Sequence, residues 1–187
     1  MQLTNPDNLP DSDNLPDPEN LLTEITLKVK TQIALNGASN SALVGIYSGG
    51  VWIMRRILES MNEEIPYGLL DAALYRDDYA ERGLKAAPKP AQIPFDVQDK
   101  HIILIDDIFY TGRTTRAAMN ELFDYGRPAS IQLAVLINRG GAQLPIKPNI
   151  VGADILLEAN QSLQLSQDTK NKLHLTLETQ NGRASHG

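Results

Sequence analysis

The sequence predicts an α/β fold with a mainly parallel central sheet flanked by helices. Three observations predict it. Short apolar runs of strand length alternate with stretches whose apolar residues recur at helical spacing, and one run, Ser130 to Ile137, is apolar almost throughout, as befits a central strand covered on both faces. The glycine- and threonine-rich segments stand where strands hand over to helices, which is where open α/β sheets bind ligands.

Taken in order, Asp17 followed by Pro18 reads as an N-cap with proline in the first turn, and Leu21, Leu22, Ile25, Val29 and Ile33 follow on one helical face until Asn36-Gly37. Ala42 to Tyr47 reads as a buried strand, Ser48-Gly49-Gly50 as a turn, and Val51 to Met61 as a helix with Val51, Met54, Ile57, Leu58 and Met61 on one side. Leu69 to Tyr75 and His101 to Ile105 read as strands, Thr114 to Tyr125 as a helix, and Leu173 to Leu177 as a last strand. Arg76 to Gln98 holds three prolines and mixed charge without periodicity, a length of loop that is usually functional in a compact domain. The chain is irregular after Asn138.

Composition bounds the class. With 187 residues, 42% hydrophobic, the chain can bury a full core as a single domain. It has no cysteine, hence no disulfide framework or thiol nucleophile, and its longest strictly apolar run, Leu133 to Ile137, is far short of the roughly 20 residues of a membrane span. A cytoplasmic protein that does not enter membranes is expected. The formal charge is −6, but residues 1–20 hold Asp7, Asp11, Asp13, Asp17 and Glu19 and no Lys or Arg, so the remainder carries −1. Residues 1–16, rich in Pro, Asn and Asp, are expected to form a disordered arm, and residues 17–187 a single domain with a flexible loop at about 77–98. A nearly neutral core with an acidic arm gives no electrostatic drive toward unspecific nucleic-acid binding.

The chemistry concentrates in Ile103-Leu104-Ile105-Asp106-Asp107-Ile108-Phe109-Tyr110-Thr111-Gly112-Arg113-Thr114-Thr115. Two carboxylates leave a buried strand, and a few residues on, small and hydroxylated residues open a helix, whose free N–H groups make a phosphate cradle. Carboxylates beside such a cradle suit the hydroxyls of a phosphorylated sugar. An acidic pair at a strand end also occurs in phosphoacceptor turns, but that reading leaves the Thr-Gly-Arg-Thr-Thr loop unexplained. His101, His174 and His186 lack metal spacing, Trp52 reads as core or interface, and no Walker-A or dinucleotide loop is present.

This stretch resembles the phosphoribosyl-diphosphate (PRPP) motif of type I phosphoribosyltransferases. Gly45 to Gly50, Leu74 to Asp78, Ile93 to Val97, Tyr125 to Pro128, Ile131 to Leu136 and Leu144 to Ile146 extend the likeness, over roughly Leu22 to Ile155, to the bifunctional pyrimidine-operon regulator and uracil phosphoribosyltransferase family, PyrR. The resemblance implies the type I phosphoribosyltransferase fold with a small hood at about 138–187. It also implies a Mg²⁺-dependent transfer in which uracil and PRPP give UMP and diphosphate, carried out by a homo-oligomer, a dimer or tetramer. Asp106 and Asp107 would then hold the ribose hydroxyls and orient the water shell of the metal, which is held through PRPP with no residue assigned as its direct ligand. Thr111, Gly112, Arg113, Thr114 and Thr115 would bind the 5′-phosphate, and Ser48, Gly49 and Gly50 the diphosphate, unless that tripeptide is simply a tight turn. Some relatives carry Arg where this chain has Gly49. Arg76 is the expected diphosphate contact and catalytic cation, with Asp77 beside it; Arg82, Lys85 and Lys89 in the loop are expected to be solvated. The base pocket is expected from Asn138, Arg139 and Val151. There the family pattern Val-Asp-Arg-Gly-His-Arg-Glu-Leu-Pro reads Ile137-Asn138-Arg139-Gly140-Gly141-Ala142-Gln143-Leu144-Pro145, and Ala153 stands where a lysine is common. Weak or no RNA binding is expected from that loss of basic groups. A UMP-sensing RNA-binding regulator, or a transferase for another base, is the alternative.

Overall fold

The computed structural model describes residues 14–72 and 90–179. Its elements run α1 (Pro18–Asn36), β1 (Ser41–Ile46), α2 (Gly49–Glu59), β2 (Tyr67–Leu70), β3 (His101–Phe109), α3 (Arg113–Asp124), β4 (Ser130–Asn138), β5 (Ile150–Asp154), β6 (Gln161–Gln167) and β7 (Leu173–Thr179), with a 3-10 turn at Ala38–Asn40. Helix α1 begins where the cap residues put it: the Asp17 carboxylate accepts from the Glu19 N–H at 3.0 Å, and Pro18 occupies the first turn, where its missing N–H costs nothing.

Five strands form one parallel sheet in the order β2-β1-β3-β4-β5. Successive side chains on a strand point to opposite faces, so each strand supplies two cores. Leu43, Ile103, Ile105 and Leu136 meet Ile25 and Val29 of α1 and Ile53, Met54 and Ile57 of α2 on one face. Val44, Ile46, Leu104 and Val135 meet Ala118 and Leu122 of α3 on the other. Each fully buried Ile or Leu contributes about 1.5–3 kcal/mol, and this two-faced burial is what holds the strand ends in place.

Three differences from the sequence reading have physical causes. Strand β2 starts at Tyr67, two residues before the expected Leu69, and ends at Leu70. Pro66 and Gly68 look like breakers, but β2 is a sheet-edge strand that tolerates both, and the Pro66 carbonyl accepts from the Leu43 N–H at 2.9 Å. Its outer edge is partly covered by a two-bond antiparallel bridge between Leu69 and Gln92. Strand β3 continues through Phe109 rather than stopping at Ile105, because β4 runs on beside it to Asn138. Strands β5 and β6 arise in the stretch read as irregular: β5 adds an edge to the central sheet, and β6 pairs with β7 as a separate antiparallel hairpin. The hairpin turn is built on Asp168, whose Oδ1 accepts from the Lys170 and Lys172 N–H groups at 2.8 and 2.9 Å, and on Asn171 at φ +62°. The expected arm to residue 13 and loop residues 77–89 lie outside the described residues.

The hairpin is tied to the helices by one carboxylate. Glu19 accepts from both guanidinium nitrogens of Arg56, at 2.8 and 3.3 Å, and from the Leu173 N–H at 2.8 Å, while Arg56 also donates to the Asn171 carbonyl at 3.0 Å. The bonds from Arg56, above all, hold the Glu19 carboxyl below the ordinary glutamate range. A depressed carboxyl stabilises the fold above its unfolded value of about 4.3, and that contribution is lost as pH falls through the lower folded value. Glu19→Ala is therefore expected to cost about 1–2 kcal/mol at pH 7, a value kept modest by partial exposure of the pair. In urea titrations the gap to the parent chain should close as the pH is lowered below about 4. A gap of constant size down to pH 2 would show that Glu19 acts by packing and not by charge.

Candidate active site

The strand order reverses between β1 and β3: the chain leaves β1 for β2 on one side, then returns to place β3 on the other. Such a switch point opens a crevice beyond the carboxyl ends of the two strands. Ser48, Gly49 and Gly50 stand at the end of β1, and α2 starts at Gly49, so the first N–H groups of the helix lack intrahelical partners there. The Tyr47–Ser48 peptide leading into this turn is cis. The turn lies hard against β3. A Cβ on Gly50 would come within 2.2 Å of the Ile105 carbonyl oxygen, and one on Gly49 within 2.4 Å of Asp107 Oδ2. At Gly50 only glycine fits against the main chain, whereas at Gly49 the Asp107 side chain would have to turn aside.

Asp106 and Asp107 are both 5% exposed, unusual for carboxylates. Because β3 runs to Phe109, they are strand residues and not the start of a loop. Strand alternation puts Asp107 on the α2 side, against Gly49, and Asp106 on the α3 side. The Asp106 Oδ1 accepts from the Asp107 N–H at 3.0 Å.

The cradle follows directly. Gly112, at φ +90°, turns the chain into α3, which begins at Arg113. Thr111 and Thr115 are buried at 2% exposure, Thr114 is half-buried and Arg113 is exposed. The Thr111 hydroxyl accepts from the Arg113 N–H at 3.3 Å, and the Gly112 carbonyl accepts from Arg116 N–H at 2.9 Å. The free end of a 12-residue helix thus opens at Arg113, shortly after the buried carboxylates Asp106 and Asp107 in the chain, the arrangement that suits an anion.

Asn138 and Arg139 flank the same crevice at the end of β4. Asn138 Nδ2 donates to Asp154 Oδ1 at 2.7 Å, and its Oδ1 accepts from the Gly140 N–H at 3.2 Å. The Arg139 guanidinium lies over the Tyr110 ring, 4.0 Å from its centre, and donates to the Gln161 carbonyl at 2.8 Å. Val151 is placed in β5 opposite Val135, two strands from Asp106 at the same level of the sheet. Its carbonyl accepts from Lys28 at 2.7 Å. Arg76, Asp77, Arg82, Lys85 and Lys89 lie outside the described residues. Sequence reasoning missed Tyr110, Asp154 and Gln143 in this region. The first could have been found as an aromatic residue immediately before the cradle; the other two depend on how the chain folds after Asn138. Among the described residues no group of three or more His, Cys, Asp or Glu is arranged to hold a metal by itself, and no helix is long and apolar enough to cross a membrane.

A parallel sheet with buried carboxylates at its switch point and an anion cradle one turn further defines a phosphoribosyltransferase, and a family model of the phosphoribosyl transferase domain matches residues 13–164. Two solved structures share the fold. They are a hypoxanthine phosphoribosyltransferase from Trypanosoma cruzi, with TM-score 0.62, 18% identity and 87% of this chain and 93% of that one covered, and a hypoxanthine-guanine phosphoribosyltransferase from Bacillus anthracis, with TM-score 0.61, 14% identity and 79% and 84% covered. The "Bifunctional protein PyrR" of Pseudomonas fluorescens is 42% identical over 155 residues, covering 83% of this chain and 92% of the relative. That of Ralstonia nicotianae is 46% identical over 148 residues, covering 79% and 84%. The chain belongs to the PyrR family of phosphoribosyltransferases.

The two glycines of the β1–α2 turn should fail differently. Gly50→Ala presses a methyl group on a main-chain carbonyl of the central strand, so it should destabilise by about 3 kcal/mol or more, since overpacking against a fixed backbone has no cheap relief. Gly49→Ala meets a side chain that can rotate, so a smaller loss of about 1–2 kcal/mol is expected. Thermal melts of the two variants rank them; an equal or reversed order would mean that the turn does not lie against β3 in this way.

Proposed function

We propose that this chain is a uracil phosphoribosyltransferase. In the reaction, N1 of uracil forms a bond to C1′ of PRPP as the bond from C1′ to the diphosphate oxygen breaks; N1 gives up its proton, and UMP and diphosphate result. The observation that carries the reading is the meeting of Gly49 with the buried Asp107 beside a helix-start cradle. A sugar held there would have its 5′-phosphate at Thr111 to Thr115 and its hydroxyls toward Asp106 and Asp107. The N–H groups of Gly49 and Gly50, free at the start of α2, would face the leaving diphosphate. The transition state has oxocarbenium character, so these groups act by positioning and by stabilising charge on the leaving group. The family likeness adds Arg76 as a diphosphate contact and Asp77 beside it. Membership of the PyrR family supports uracil as the base, and Asn138, Arg139 and Val151 would line its pocket.

The donor set fits Mg²⁺. Two buried carboxylates are hard oxygen donors beside a turn that a single Cβ would fill, which suits an ion that keeps its waters and binds mainly through substrate phosphates. When bound, it would supply charge neutralisation at the diphosphate, with Asp106 and Asp107 orienting its water shell. The cysteine-free composition supports a cytoplasmic site of action. Leu27 and Leu35, 68% and 75% exposed two turns apart on α1, support a homo-oligomer that covers them.

The test is a base panel: PRPP and Mg²⁺ with uracil, hypoxanthine, guanine or orotate, following diphosphate release. Turnover with uracil alone is expected, and preference for a purine would overturn the reading. Asp106→Asn with Asp107→Asn should lower kcat/KM by about 100-fold or more while the fold persists, since each lost charge-assisted bond to a sugar hydroxyl is worth about 1.5–3 kcal/mol. Near-parental turnover in the double variant would remove these residues from the site.

Regulation through RNA is the second reading, favoured by the word "bifunctional" in the relatives' name. Against it stand Gly141, Ala142 and Ala153, which supply no cations, and the acidic N-terminal segment. An attenuator-type hairpin should bind weakly and without enhancement by UMP in filter titrations. Submicromolar, UMP-enhanced binding lost with a scrambled hairpin would instead establish the regulator.

A further inference from the structure

The segment after β4 is an arch fastened at both ends to the segment that carries the cradle. At one end the Arg139 N–H donates to the Phe109 carbonyl at 2.9 Å and the Arg139 guanidinium covers the Tyr110 ring. At the other the Gln143 N–H donates to the Thr111 carbonyl at 3.0 Å, and Gln143 Oε1 accepts from the Arg113 guanidinium. Between these anchors Gly140 and Gly141 sit at φ +72° and +73°, so the span has little stiffness of its own. Its shape is set by its anchors. Both contacts of Gln143 are to cradle residues, one through main chain and one through side chain, and nothing in the sequence reading or the family likeness gave Gln143 a role.

We infer that Gln143 is a positioning residue that couples occupancy of the phosphate cradle to the shape of the base-side arch. An anion settling on Thr111 to Thr115 fixes the Thr111 carbonyl and the Arg113 side chain, and through Gln143 this fixes the arch that carries Arg139 to the base. Filling one half of the site thereby tightens the other. The inference rests on the phosphoribosyltransferase reading above and adds to it the residue that links the two halves of the site. Gln143 and Arg113 are both exposed, so their bond competes with water and the coupling is modest.

The test separates coupling from mere stability. With uracil as the base and PRPP saturating, Gln143→Ala should raise the KM for uracil by about 5-fold or more, the low end of measured couplings between sites, with kcat changed much less. Arg113→Ala should raise it too, and the double variant should be no worse than the poorer single one, because both changes cut the same link. Gln143→Glu, which keeps an acceptor for Arg113, should bring the uracil KM back toward the parental value. Melting temperatures of the set should lie within a few degrees of each other. An unchanged uracil KM in Gln143→Ala, or fully additive effects of the two changes, overturns the coupling while leaving the reaction itself established. A parental chain that turns over no base at all overturns the phosphoribosyltransferase reading and this inference with it.

Discussion

Everything at the site depends on how closely the turn after β1 can approach β3. A Cβ at Gly50 would be 2.2 Å from the Ile105 carbonyl oxygen, well inside contact distance. With glycine there, the start of α2 lies on the central strand, its free N–H groups face the crevice, and Asp107 sits against Gly49 with its carboxylate sheltered from solvent. Move the turn out by the radius of a methyl group and three things fail together: the packing of α2 on β1 and β3, the burial of Asp107, and the width of the crevice. The site is therefore a consequence of sheet packing and not an addition to it.

The same economy appears at the far side of the molecule. The β6–β7 hairpin is short and could not be stable alone in water. It persists because Leu163 and Leu173 enter the core shared by α1 and α2, and because Glu19 joins Arg56 to the hairpin backbone. Its other end reaches the site, since Gln161 supplies the carbonyl to which Arg139 donates. The hairpin thus holds a residue of the crevice from behind while being held itself by the first helix. A change in α1 can reach Arg139 through two hydrogen-bonded steps.

How much of this was legible beforehand follows the reach of each signal. Helix α1, β1, α2, α3 and β4 announce themselves through local periodicity and caps, and the cradle through the run from Asp106 to Thr115. The extension of β3 to Phe109 was not legible, because Asp106-Asp107 reads locally as a strand end and only pairing with β4 keeps the backbone extended. Strand β6 was legible in principle: Leu163 and Leu165 alternate with polar residues, and Asp168 with Asn171 marks the turn before Leu173. Polar composition hid it, since an exposed hairpin face carries Gln and Ser where a buried strand carries Val and Ile. Strand β5 has too few residues for any period, and only its register against β4 defines it. Asp154, Tyr110 and Gln143 were missed because their roles are relations across the fold, and no spacing along the chain encodes them.

The departures of residues 138–143 from the family pattern make sense as a set. Asn138 donates to Asp154; an aspartate in its place would bring a second carboxylate to within hydrogen-bonding distance of the first, a repulsion that one of them must relieve by taking up a proton. Gly141 holds φ +73° with Tyr110 so near that a Cβ would lie 2.7 Å from the ring, so a histidine in this backbone conformation would force the ring away from its stacked position under Arg139. Two of these changes therefore permit a contact that the family residue would oppose, Asn138 the link to β5 and Gly141 the closeness of Tyr110, while Gln143 keeps an acceptor for Arg113 as a glutamate would. The basic groups of the family pattern that this stretch lacks are of the kind a polyanionic partner would need. The contacts that do form in this stretch lie within the chain, from Asn138 to Asp154 and from Arg113 to Gln143.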